Sequence, residues 1–142
     1  MMTLQPWTQW ITSEELHSLY AEGIVRYGGT GSKSKNGCVD GSLGAAYNAE
    51  LYSMPEFNSE TAVSGLVFAG YLLFYLTQNH CFVDGNKRIG WLSAMFVLGK
   101  LGVTLDVSED DAEHYCRGIA AGAIKNGADI VNWIAEHVIP VD

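Results

Sequence analysis

A histidine, an aspartate, an asparagine, a lysine and an arginine fall within nine residues in the stretch "HCFVDGNKR", His80 to Arg88. These types are the working parts of a group-transfer site. The imidazole of His80, with an ordinary pKa near ~6.5, can take up a hydroxyl proton at neutral pH. Asp84 is a hard oxygen ligand suited to a Mg2+ shared with phosphates. Lys87 and Arg88 supply positive charge, and Asn86 offers an amide donor. Gly85 lets the backbone approach an anion closely or take a positive φ. Phe82 carries no reactive group and is expected to anchor the segment in the core.

The placement of the cations matters as much as their type. The runs "AVSGLVFAGYLLFYL" and "IGWLSAMFVLGKLG" on either side read as apolar core helices, which puts Lys87 and Arg88 in the opening turn of the second. That end of a helix is the positive pole of its dipole, and an exposed cation there is disfavoured by about 0.3–1 kcal/mol. The placement becomes favourable when an anion sits on the free N–H groups and is shared with both side chains. A phosphate clamp, a metal carboxylate and a base together describe phosphoryl or nucleotidyl transfer. Each residue alone also has a plain structural reading: a turn at Asp84-Gly85, a satisfied helix-end His80, or Asp84 as an N-cap. The two cations at the wrong helix end favour the site.

The elements that must position this junction are helical. Thr12 and Glu15 form a capping-box pair ahead of a helix bearing Leu16, Leu19, Tyr20, Ile24 and Tyr27, which stops at Gly28-Gly29. The stretch "GGTGSKSKNGCVDGSLG" predicts a long surface loop, with a short helix over Leu43–Leu51. Asn58 or Ser59 is expected to cap the central helix, which runs to about Asn79. The next helix spans about Lys87 to Lys100–Gly102, and "VTLDV" predicts a short extended connection. Ser108 and Asp111 cap a helix containing Tyr115, Cys116 and Ile119, and a last helix covers about Asp129–Val138. With no repeat and no ladder large enough to be a sheet, the fold class is all-α, in a single domain over residues 1–142.

Composition agrees and excludes alternatives. Hydrophobic residues make up 48% and charged residues 17% of 142, as in a folded globular chain. A net charge of −8 with scattered lysines and arginines disfavours nucleic acid as a partner. The apolar run Ala62–Leu76 falls short of the roughly 20 residues that cross a bilayer. The start "MMTLQPWTQWITSEEL" has no signal-peptide pattern, so no membrane partner and a cytoplasmic location are expected. Cys38, Cys81 and Cys116 are odd in number and lack ligand spacing, which predicts free thiols, no zinc and a reducing compartment. His17, His114 and His137 are assigned surface or helix-end roles, and Trp7 and Trp10 packing roles. "GGTGSKS" fails the phosphate-loop spacing, because Tyr27 and Ser32 stand where glycines are required.

"HCFVDGNKR" resembles the signature of the Fic superfamily, His-x-Phe-x-(Asp/Glu)-Gly-Asn-x-Arg at a helix–loop–helix junction. "EELHSLYAEGIVRYGG" and "LGVTLDV" are similar to the death-on-curing (Doc) branch, the toxins of bacterial toxin–antitoxin pairs. The resemblance implies a compact helical fold with His80 as the base that activates a target hydroxyl. It implies that Asp84 binds Mg2+ and that Gly85, Asn86, Lys87 and Arg88 hold the phosphates of ATP. AMP-transferring members usually have a small residue where this chain has Lys87, and a second arginine where it has Trp91. The Doc branch has the lysine, lacks that arginine, and transfers the terminal phosphate. The resemblance therefore implies an ATP-dependent Ser/Thr phosphotransferase toxin acting on the elongation factor that delivers aminoacyl-tRNA. Gly28–Leu51 is the expected docking surface. An AMP transferase and a catalytically silent binding module are the alternatives. "SLYAEG" matches the family's self-inhibitory motif, but Glu22 lies off the apolar stripe of its helix. Inhibition is therefore expected from a separate antitoxin whose flexible segment folds into a groove.

Overall fold

Thr12 caps the first helix, α1 (Ser13–Tyr27), through the full capping box with Glu15, and Gly28, at φ 84°, ends it. The computed structural model describes residues 5–57 and 61–141, with side chains from 5–53 and 64–141. The expected cap at Asn58 or Ser59 lies outside the described residues. Five further helices follow: α2 (Cys38–Phe57), α3 (Thr61–Asn79), α4 (Asn86–Lys100), α5 (Glu109–Ala120) and α6 (Gly127–His137). Ser108 caps α5 by accepting from the Asp111 N–H, as its sequence predicts. "VTLDV" contributes β1 (Val103–Leu105), which pairs antiparallel with β2 (Val138–Pro140), Thr104 opposite Ile139. The fold is all-α apart from this clip.

The apolar circumference of α3 places it at the centre. Val67, Phe68, Ala69, Leu72, Leu73 and Leu76 are all fully buried, and α2, α4, α5 and α6 pack around them. Helix α4 contributes Ile89, Ala94, Val97 and Leu98 to the same core. Trp7 and Trp10 are buried, as their packing role requires. None of the helices among the described residues is long and apolar enough to cross a membrane.

Two expectations are corrected. The loop after α1 is shorter than predicted, because α2 begins at Cys38 and continues to Phe57. Its glycines and small polar residues lower its intrinsic helicity. The stripe Val39, Leu43, Ala46 and Glu50, all buried, supplies the compensating tertiary contact. Glu50 joins that stripe because Ser64 of α3 donates a hydrogen bond to its carboxylate. The second correction concerns the cysteines. Cys38 and Cys81 form a disulfide across 43 residues, and only Cys116 is a free thiol. Two of the three expected free thiols are thus paired, because the fold brings the start of α2 against the end of α3.

Candidate functional site

The junction lies between the two helices with the most extensive mutual packing. Helix α3 ends at Asn79, and His80 leaves it exposed, with a left-handed φ of 50°. Cys81 and Phe82 turn inward and are buried, whereas Val83 and Asp84 return to the surface. Gly85, at φ 81°, then redirects the chain into α4. The Phe82 ring is buried and stacks on Tyr20 of α1 with centroids 3.7 Å apart.

The N-terminus of α4 is chemically open. Among the described residues no side chain caps it, and no acidic residue stands in its first turn. The first N–H groups of a helix have no intrahelical partner, so this end presents free donors and a positive dipole. Lys87 is exposed, and among the described residues no carboxylate lies within ion-pair distance of it. Asn86 has a different first task from the one its amide suggests. Its Oδ1 accepts from the Phe82 N–H at 3.0 Å, and its Nδ2 donates to the Phe82 carbonyl at 2.8 Å. The side chain thereby braces the motif loop from inside, leaving one amide hydrogen for a ligand.

Arg88 is also partly committed. Its Nη1 donates to the carbonyl of Gly28 at 2.8 Å and leans on that of Gly23 at 3.4 Å. Its guanidinium lies over the Tyr27 ring, 5.3 Å from the centroid. Tyr27, assigned by periodicity to the buried stripe of α1, is exposed and serves as this shelf. The arginine neutralises the negative end of α1 while Nε and Nη2 remain for an anion. Trp91, at the position of a possible second arginine, packs edge-to-face on Trp133 of α6.

Sequence reasoning missed the strap formed by the loop after α1. Its backbone and hydroxyls run along the motif. The Thr30 N–H donates to Asp84 Oδ2 at 3.0 Å, the Val83 N–H to Ser32 Oγ at 3.0 Å, and the Lys35 N–H to the Cys81 carbonyl at 2.8 Å. His17 is not a surface residue but holds this strap. Its Nδ1–H donates to the Ser13 carbonyl and its Nε2 accepts from the Ser34 hydroxyl, while its ring meets the edge of Phe82. Tyr20 completes the support by donating from its hydroxyl to the Asp84 carbonyl at 2.9 Å. The only legible signal for the strap was its density of small hydroxyl residues.

Asp84 is exposed, with Oδ2 fixed by Thr30 and Oδ1 free. Among the described residues no three His, Cys, Asp or Glu side chains cluster to hold a metal alone. A single free carboxylate oxygen fits Mg2+, which takes one or two protein carboxylates and completes its shell with phosphates and water. Glu22 is exposed and lies 4.0 Å from Arg26 on α1, as its position off the apolar stripe predicts. A cavity of about 350 Å3 between α5 and α6, lined by Asp106, Asp111, His114, Tyr115, Trp133 and His137, contains no motif residue.

Residues 10–98 match the model of the Fic/DOC family. A comparison with curated proteins finds no match.

Proposed function

The chain belongs to the Fic/DOC family, and from that premise we propose that it is a toxin-type protein phosphotransferase that moves the γ-phosphate of ATP to a Ser or Thr hydroxyl. Members of this family are often transferases that modify proteins with nucleotide substrates. The observation that carries the finer reading is the N-terminus of α4, which among the described residues has no side-chain cap, with Lys87 exposed and without an ion-pair partner beside it. Free amides and a positive dipole at that point favour a phosphate chain. Lys87 and Trp91 favour γ-phosphate transfer over AMP transfer. The lysine occupies space along the phosphate path, and the tryptophan is engaged with Trp133 where a second clamp would stand.

In this reading His80 accepts the proton as the acceptor oxygen attacks the terminal phosphorus. A new O–P bond forms, the bond from that phosphorus to the β–γ bridging oxygen breaks, and ADP leaves. The α4 amides, Lys87 and the free edge of Arg88 hold the phosphate oxygens and stabilise developing charge. Mg2+ bound at Asp84 would neutralise the phosphates and orient them. The acceptor segment would lie along the strap at 28–37, close to Val83 and His80, which narrows the docking region expected from sequence. A threonine of the aminoacyl-tRNA-delivering elongation factor and a cytoplasmic setting fit a translation toxin. The outward-facing Glu22 supports inhibition by a separate antitoxin rather than by this chain.

The test incubates the purified protein with Mg-ATP and a bacterial translation extract and weighs the products intact. A phosphoryl-sized gain, lost with His80→Ala, is expected. An AMP-sized gain overturns the assigned nucleotide orientation, and the absence of both nucleotide binding and modification favours a silent binding module.

A further inference from the structure

The two neighbours of His80 in the chain are both fastened to the same face of α2. On one side, the Asn79 side chain donates to Ser42 Oγ at 2.9 Å. On the other, Cys81 is joined to Cys38 by the disulfide. Cys38 and Ser42 are four residues apart on one helix and so lie one above the other. His80 is thus a handle held at both ends. Among the described residues it alone, apart from glycines, has a positive φ. Such a backbone is costly for a side chain with a Cβ and persists where its surroundings over-determine it. The disulfide is the covalent half of that constraint.

We infer that the Cys38–Cys81 disulfide is a positioning element for His80 and makes the transfer step redox-dependent. The inference rests on the reading of His80 as the base. The nucleotide side of the motif is held separately, through Tyr20 on Phe82 and Asp84 and through Asn86 on Phe82. Opening the disulfide therefore loosens the base without dismantling the phosphate cradle. Cys81 is 1% exposed, whereas Cys38 is only partly buried, so an external thiolate attacks the Cys38 sulfur and Cys81 departs as the thiolate. The resulting mixed disulfide at Cys38 is resolved by a second thiol. The balance is protein disulfide plus two small thiols giving protein dithiol plus one small disulfide, such as the glutathione couple, with two electrons transferred.

The experiment equilibrates the intact protein with oxidised or reduced glutathione and measures kcat, the Kd for Mg-ATP and the imidazole NMR resonances of His80. Far-ultraviolet circular dichroism checks that both forms keep their helices. Reduction is expected to lower kcat by about tenfold or more, as displaced catalytic groups do, and to shift the His80 resonances with Kd unchanged. Cys38→Ala should sit at the reduced level and ignore the redox poise. Equal kcat in both forms overturns the inference, as does a parallel loss of Mg-ATP affinity. If no transfer occurs in either form, the functional reading fails. The His80 resonances then decide the positioning alone: a shift on reduction supports it, and their constancy overturns it.

Discussion

Tyr20 lies beneath Phe82 with the two rings 12° from parallel, and its hydroxyl reaches past that ring to the carbonyl of Asp84. One side chain of α1 thus supports both the buried and the exposed part of the motif. The stack sets the depth of the loop, and the hydrogen bond sets the turn that presents the Asp84 carboxylate. Separate substitutions divide these tasks. Tyr20→Phe keeps the stack and is expected to cost about 0.5–1.5 kcal/mol in chemical denaturation, with weaker Mg2+-dependent nucleotide binding. Tyr20→Ala also empties the space under Phe82 and should cost about 3–5 kcal/mol.

Gly29 tests the strap against the carboxylate. A Cβ at this position, where φ is 112°, would stand 2.7 Å from Asp84 Oδ2. Gly28 also has a positive φ, but a Cβ there meets nothing within 4 Å. Both Gly→Ala changes carry a backbone cost of about 1–3 kcal/mol. Only Gly29→Ala displaces Asp84, so it alone should reduce Mg2+-dependent ATP affinity, read by calorimetry with and without the metal. Equal affinities for the two variants would remove the strap from the site.

Asn86→Asp separates the brace from the phosphate cradle. The new carboxylate can still accept from the Phe82 N–H but no longer donates to the Phe82 carbonyl. Its charge at the start of α4 regains about 0.3–1 kcal/mol from the helix dipole, so stability should change little. The same charge repels a nucleotide, and ATP affinity should fall at least about tenfold, as for like charges in contact. Unchanged affinity would place the phosphates elsewhere.

Cys116 gives a pH prediction. Burial first, and the charge of Glu113 to a lesser degree, push its thiol up to about 11, with Lys87 acting in the opposite direction. In the unfolded chain the thiol ionises near its ordinary 9.0. Between these values the unfolded state has released a proton that the native state keeps, so stability falls as pH rises. The contribution is complete below pH 9 and lost towards pH 11, with a slope approaching about 1.4 kcal/mol per unit. Tyr115, raised to about 12 from 10.0 mainly by burial, adds to the decline above pH 10. Cys116→Ala should flatten urea-melt stability between pH 9 and 10, leaving the Tyr115 part.

Features encoded locally were legible in the sequence. The Thr12–Glu15 and Ser108–Asp111 caps form as their spacing implies, because capping involves residues within one turn. The start of α4, with Lys87 and Arg88 in its first turn, was readable for the same reason. The partners of the motif were not readable. Tyr20, Thr30 and Ser32 reach it from 64, 54 and 51 residues away, and no periodicity encodes such meetings. Helix α2 starts ahead of Leu43 because Val39 is buried and Cys38 is bonded to Cys81 beyond the end of α3, contacts that no local pattern encodes. The Cys38–Cys81 pairing required the same tertiary knowledge.

The crossing of α3 and α6 has a consequence for the boundaries of the fold. At Gly70 the helices approach so closely that a Cβ would lie 2.6 Å from Val131 Cγ2 and 3.1 Å from its backbone. Ile130, Val131 and Ile134 are buried against this surface. Yet the family match ends at residue 98, before α6 begins. The homologous segment is therefore not a separable unit in this protein. Cut there, α3 would present its bare flank to water, and the helix that delivers His80 would become a sticky surface for self-association. The segment after residue 98 acts as the keystone of the matched portion, so changes in α6, remote from the motif, would loosen the helix that carries it.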